Sequence, residues 1–233
     1  FGIEPGTLEA IDFRKKLPGT TAKQKGVAVR GRNEDDVAKV DIVQNLFGTD
    51  YNHGFFQYNA CNFCDDVVGE TADVSVGDAW LPEYIPDGQG TSIVVVRHPV
   101  IHRLVEEAIE AGRLQMDTVS ADTVADSQSG GFRQRREGLA YRLYLADREG
   151  QWRPPKRVKP RKYHISRQRR KIYDLRMELT GRSHEAFQRA LKAGDFDVFR
   201  RVMEPLLETY HELYKPTFWH RIKRGGQRGR RGP

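Results

Sequence analysis

Cys61 and Cys64 are the only cysteines in this 233-residue chain, and their spacing is the first place to look for chemistry. A Cys-x-x-Cys pair places two thiolates close enough to share one ion or cluster, and sulfur is the ligand that zinc and iron–sulfur centres take. Several readings fit the spacing. Zinc needs two further ligands, and His53, His98 and His102 are candidates, none at a standard knuckle spacing. A thioredoxin-like dithiol wants its first cysteine at a helix N-terminus, and the neighbouring Asp65-Asp66 disfavours a thiolate. A 4Fe–4S cluster needs four thiolates, of which this chain holds two. Two buried, reduced cysteines with no ligand remain as the plainest reading.

The surroundings discriminate better than the pair. Tyr58-Asn59-Ala60-Cys61-Asn62-Phe63-Cys64-Asp65-Asp66 is followed by Ala72-Asp73-Val74-Ser75-Val76-Gly77-Asp78-Ala79-Trp80. Gly90-Thr91-Ser92-Ile93-Val94-Val95-Val96-Arg97 comes next, with short gaps. In this order the segments closely resemble the C-terminal domain of the coenzyme F420 hydrogenase/dehydrogenase beta-subunit family. That family carries Cys-x-x-Cys-Asp, an Ala-Asp-Ile-Ser-x-Gly-Asp-Ala-Trp element, then Gly-x-Ser and an apolar strand ending in Arg. The stretch up to Gly112 with Arg113-Leu114 fits as well, as do the polar run through Gln128 and Arg135-Arg136. The resemblance covers about residues 1–145.

The resemblance implies FAD and a 4Fe–4S cluster, with electrons passing between the cluster, the flavin and an organic acceptor such as a deazaflavin coenzyme. It also implies that Cys61 and Cys64 ligate the cluster and that Gly77, Asp78, Trp80, Ser92 and Arg97 serve cofactor binding. Gly77-Asp78 suits a close backbone approach with a carboxylate for a hydroxyl or ring nitrogen, and Trp80 suits stacking on an aromatic ring. A tight turn and a core tryptophan would account for the same residues. Family members carry an N-terminal domain and further cysteines upstream. This chain begins at Phe1 without an initiator Met, so a missing N-terminal domain or another redox subunit is expected to supply the remaining ligands.

These residues need a scaffold. A hydrophobic content of 38% is enough for a core, and no stretch approaches the roughly 18 consecutive apolar residues of a membrane span. With no visible export signal, a reducing cytoplasm is the expected setting. The net charge of +7 conceals a strong asymmetry. Residues 151–233 hold 23 Lys/Arg against 8 Asp/Glu, a local +15, and residues 1–150 hold 16 against 24, a local −8. Blocks this different suggest two physical units with different partners.

The pattern predicts a mixed α/β domain over residues 1–148, followed by a basic, mainly α-helical C-terminal region. Leu8–Arg14 alternates, Val27–Arg30 is a short strand, Asn33–Asp36 an exposed turn, and Ala72–Val76 a strand ending in Gly77-Asp78. Ser92–Arg97, rich in β-branched residues, reads as a strand buried on both faces. Ile101, Leu104, Val105, Ala108 and Ile109 form one face of a helix capped at Gly112. Residues 149–165 read as a stiff basic Pro-rich linker. Within 166–216 three helices are expected: Ser166 to Gly181, His184 to Gly194, and Phe196 to Tyr214 with a kink at Pro205. Residues 217–233 are expected to form a disordered basic tail. The basic stretches Arg161–Lys171 and Arg221–Arg231 suit a polyanion, an acidic protein surface or the acidic half of the same chain, or are simply solvated.

No P-loop, Ser-His-Asp arrangement or carboxylate pair points to a hydrolase. The contrasting functional class is a non-catalytic binding protein with a lost or structural metal site, acting through its basic tail.

Overall fold

The computed structural model describes residues 1–3, 6–32 and 39–215. The expected turn at Asn33–Asp36 and the tail over 217–233 lie outside them. The described chain divides into two compact units. The first comprises residues 1–50 and 59–162, and the second comprises 51–58 with the residues from Tyr163 onward.

The first unit is mixed α/β. Strands β1 (Leu8–Lys15), β2 (Gly26–Gly31) and β3 (Lys39–Ile42) form an antiparallel sheet with β2 in the middle. Val27, Ala28 and Val29 of β2 are buried, whereas β1 is exposed along its length. A second, two-stranded antiparallel sheet pairs β4 (Val74–Asp78) with β5 (Ser92–Val96). Only Ile93 of β5 is fully buried, so this strand is half-buried and not enclosed on both faces as its composition predicts. Enclosure on both faces needs elements packed above and below the sheet, and Val94, Val95 and Val96 are left partly exposed.

Helix α1 (Asn59–Asn62) is a single turn. Helix α2 (Pro99–Glu110) follows the predicted apolar stripe, starts on the side chain of His98 and ends where Gly112 turns left-handed at φ 67°. Helices α3 (Ala121–Ser127) and α4 (Ser129–Phe132) lead through a π-helical turn at Arg133–Glu137 into α5 (Gly138–Arg148). Leu139, Tyr141, Leu143 and Ala146 make α5 the buried backbone of this unit. The basic segment after it is tied back by the Arg161 N–H, which donates to the Ala140 carbonyl at 2.9 Å, and by Arg153 against Asp147 at 2.6 Å.

The second unit is a helical hairpin of α6 (Arg167–Ala193) and α7 (Asp197–Tyr214). Ser166 caps α6 as expected, its hydroxyl accepting the Arg169 N–H at 3.1 Å. Two helices stand here in place of the predicted three. Gly181 does not end a helix: it sits in open space in the middle of α6, flanked by buried Leu179, Thr180, Ser183 and Ala186, whose packing outweighs a glycine's weak helix propensity. Helix α7 runs on through Pro205. Residues 51–58, which the sequence suggests merely lead to the cysteines, belong to this hairpin. Phe55 and Phe56 pack on Phe199 at 5.7 and 5.8 Å, and Thr180 donates to the Gly54 carbonyl at 2.8 Å.

Candidate functional site: the cysteine loop and the β4–β5 hairpin

The turn of α1 decides where the two sulfurs lie. The Phe63 N–H donates to the Ala60 carbonyl at 3.1 Å and the Cys64 N–H to the Cys61 carbonyl at 3.4 Å. Residues i and i+3 of such a turn share one side. Both thiols are free; Cys61 is exposed and Cys64 half-buried. Downstream, the Asp66 carboxylate folds back to accept the backbone N–H groups of Val68 and Glu70 at 3.0–3.1 Å, closing the loop on itself.

Arginines from distant positions hold this loop. Arg142, 4% exposed on α5, donates through Nε to the Asn62 carbonyl at 2.8 Å and through Nη2 to the Gln134 carbonyl at 3.0 Å. Arg135, in the π-helical turn, donates from Nη1 to Cys64 Sγ at 3.7 Å and to the Asp66 carbonyl. Arg97 donates to the carbonyls of Val68 and Ala72 at 2.9 and 3.0 Å and to Ser75 Oγ at 3.3 Å. Arg157 clamps Glu70 at 2.6 Å and reaches Asp65 at 3.2 Å, joined by Arg136 on Glu70 at 3.0 Å and Lys156 on Asp65 at 3.4 Å.

Burial raises the Asp65 carboxyl, but Lys156, its own backbone N–H and Arg157 more than offset that and hold it below its ordinary value. The hydrogen bond from Arg157 dominates at Glu70, which is likewise lowered. Of the two aspartates beside the cysteines, Asp65 is answered by cations, as is Glu70 further along the loop, whereas Asp66 is held by backbone N–H groups, a division that adjacency in sequence does not reveal.

The zinc candidates are engaged elsewhere. His53 is buried in the second unit against Tyr210, His211 and Phe55. His98 Nδ1 accepts the Val100 N–H at 3.2 Å, and His102 pairs with Glu106 at 3.2 Å. Among the described residues no group of three or more His, Cys, Asp or Glu is arranged to hold a metal ion. The donor set at the loop is a thiol pair and nothing more, which suits one side of a four-thiolate centre.

The other residues named from the sequence fall into two places. Gly77, Asp78 and Ser92 meet at one end of the β4–β5 ribbon, where Asp78 is paired with Ser92 and Gly77 with Ile93. Arg97 lies at the opposite end, next to the Val74–Val96 pair and bound to the cysteine loop. Four residue steps separate the ends, roughly 13 Å at about 3.3 Å per residue.

At the Asp78 end the carboxylate accepts from Arg14 at 3.0 and 3.2 Å and from Lys25 at 3.2 Å. Burial raises its pKa, but those two cations outweigh burial and lower it. Lys25 also lies 5.2 Å from the ring centre of Trp80, which is 37% exposed, so one ammonium bridges the carboxylate and the indole. A Cβ on Gly77 would meet the Gln128 amide at 3.5 Å, and that amide donates to the Asp78 carbonyl at 2.8 Å. Ser92 is exposed beside them. The loop after Trp80 is pinned to the turn before β2: Ala22 N–H donates to the Ile85 carbonyl at 2.9 Å, and a Cβ on Gly88 would lie 2.5 Å from the Thr20 carbonyl oxygen. Only glycine admits that approach.

Sequence reasoning missed Arg14, Lys25, Arg142, Lys156 and Arg157. A net-charge count hints that the acidic half needs cations, but nothing in spacing assigns a particular arginine to a particular carbonyl. No helix among the described residues is long and apolar enough to cross a membrane. No curated protein and no solved structure matches the chain. Residues 1–122, more than half of the chain, match the family model for the C terminus of the coenzyme F420 hydrogenase/dehydrogenase beta subunit. The chain belongs to that family.

Proposed function

We propose that the protein is a flavin/iron–sulfur oxidoreductase subunit that passes electrons between a 4Fe–4S cluster, FAD and an organic acceptor, a deazaflavin coenzyme or a similar molecule. The observation that carries this reading is the free thiol pair on one turn, set in a chain of a redox-subunit family. When bound, a flavin takes up a hydride and releases electrons singly, and a cluster carries one at a time. Cys61 and Cys64 supply two of the four thiolates, and the remaining two come from another redox subunit or from a further N-terminal domain. Arg142 and Arg97 fix the loop that presents the sulfurs. At the other end of the ribbon, Asp78, Trp80 and Ser92, with Arg14 and Lys25, form the surface offered to flavin or acceptor, where cations attract phosphate and the indole stacks on a ring.

On this reading the protein works in the cytoplasm, and the basic C-terminal region docks on an acidic partner surface or a polyanion. The test is anaerobic purification from the native host, together with any proteins that accompany it. Flavin absorbance together with iron, the iron lost in Cys61→Ser and Cys64→Ser, is the expected result. A colourless, iron-free preparation sinks the proposal.

A further inference from the structure

Arg135 lies outside the matched residues 1–122 and, among the described residues, donates directly to a cysteine sulfur of this loop. Its Nη1 stands 3.7 Å from Cys64 Sγ, while the same nitrogen donates to the Asp66 carbonyl. Two contacts from one guanidinium fix its position relative to the sulfur. The turn that carries it is π-helical, and the extra residue of a π turn redirects side chains relative to a regular helix; such turns recur at functional sites.

The charges around the loop strengthen the effect. Three carboxylates belong to it, and each is directed elsewhere. Asp65 faces Lys156 and Arg157, Glu70 faces Arg136 and Arg157, and Asp66 accepts its own loop's N–H groups. Arg142, buried behind the turn, adds a cation on the Asn62 carbonyl. The sulfur of Cys64 therefore faces a donor cation and, at 3.6 Å, the Asp66 carbonyl that the same cation holds, and none of these carboxylates.

We infer that Arg135 is a positioning residue that raises the reduction potential of the centre ligated by Cys64. The inference rests on the reading of Cys61 and Cys64 as cluster ligands. Reduction adds one electron to the cluster, and part of that charge resides on the ligand sulfurs. A cation donating a hydrogen bond to one of those sulfurs stabilises the reduced form more than the oxidised form. Neutralising Arg135 removes that preference.

The experiment is a redox titration of the iron–sulfur signal by electron paramagnetic resonance, on the intact complex, for wild type, Arg135→Gln and Arg135→Lys. The expected order of midpoint potential is wild type highest, Arg135→Lys between, and Arg135→Gln lowest, with iron content unchanged. An Arg135→Gln protein that holds its cluster at the wild-type potential overturns the inference. Where Arg135→Gln fails to load iron, Arg135→Lys decides: a lowered potential supports the inference and an unchanged one overturns it. Wild type without iron would instead defeat the cluster assignment itself, so the two failures are told apart.

Discussion

At the scale of single residues, Arg135 and Arg142 tie the cysteine loop to helical segments far from it in the chain. Cys61 and Cys64 sit three apart, and Gly77, Asp78 and Ser92 belong to neighbouring strands, so local order is enough to find them. Arg135 and Arg142, two of the arginines that hold the same loop, lie 71 and 80 positions away from their partners, a separation at which sequence carries no pairing signal. Arg142 shows what such a support is worth. It is 4% exposed and donates to two backbone carbonyls, so Arg142→Met keeps the length and leaves those carbonyls without their charged donor. A loss of about 1.5–3 kcal/mol is expected, since hydrogen bonds to charged groups are worth that much. Denaturant unfolding measures it, and a midpoint indistinguishable from wild type contradicts the role. Asp78→Asn makes a contrasting prediction. It removes the charge that holds Arg14 and Lys25 and loosens the ammonium beneath Trp80. On the proposed function, flavin content of the purified protein should fall while iron content stays, because the cysteine loop is held by Arg97 at the other end of the ribbon; equal loss of both would refute that division.

Elements tell a different story, because periodicity predicts that a helix exists better than it predicts where it stops. The apolar stripe of α2 and the Ser166 cap of α6 both appear where the pattern places them. The break at Gly181 does not, since glycine lowers helix propensity without forbidding a helix when both flanks are packed. Two substitutions separate the glycines that look alike in sequence. Gly181 has helical neighbours and open space where a Cβ would go, so Gly181→Ala should stabilise the hairpin by about 0.5–1 kcal/mol. Gly194 ends α6 in the left-handed region at φ 62°, so Gly194→Ala should destabilise it by about 1 kcal/mol or more. Thermal unfolding followed by helical circular dichroism reads both. Shifts of the same sign in the two variants would show that position within the helix does not govern these glycines. Residues 51–58 mislead for a related reason: Phe55 and Phe56 look like part of the approach to the cysteines, yet their partner Phe199 lies far downstream in α7.

The molecule as a whole turns its charge asymmetry into structure. The division into an acidic first 150 residues and a basic remainder is visible in composition, but composition does not show that Lys156 and Arg157, just past the divide, fold onto Asp65 and Glu70 beside the cysteines. In the first unit Asp65, Glu70 and Asp78 thus all have pKa values lowered by cations. A lowered carboxyl stabilises the fold above its unfolded value and loses that contribution as pH falls through the folded one. Ordinary values here are 3.8 for Asp65 and Asp78 and 4.5 for Glu70. These pairs should therefore be indifferent to pH between 7 and roughly 5 and fail progressively below about 4. Helices α6 and α7 are held by Leu179, Phe199 and Met203, apolar side chains with no proton to gain. Hydrogen exchange followed by mass spectrometry on acid-equilibrated samples distinguishes the regions. Peptides covering 59–72 and 153–161 should lose protection at a higher pH than peptides of α6 and α7. Arg157→Gln should move that loss upward for the first set alone, because it removes the cation shared by Asp65 and Glu70. A simultaneous loss in both regions, unmoved by Arg157→Gln, would mean that these ion pairs do not govern the acid stability of the cysteine loop.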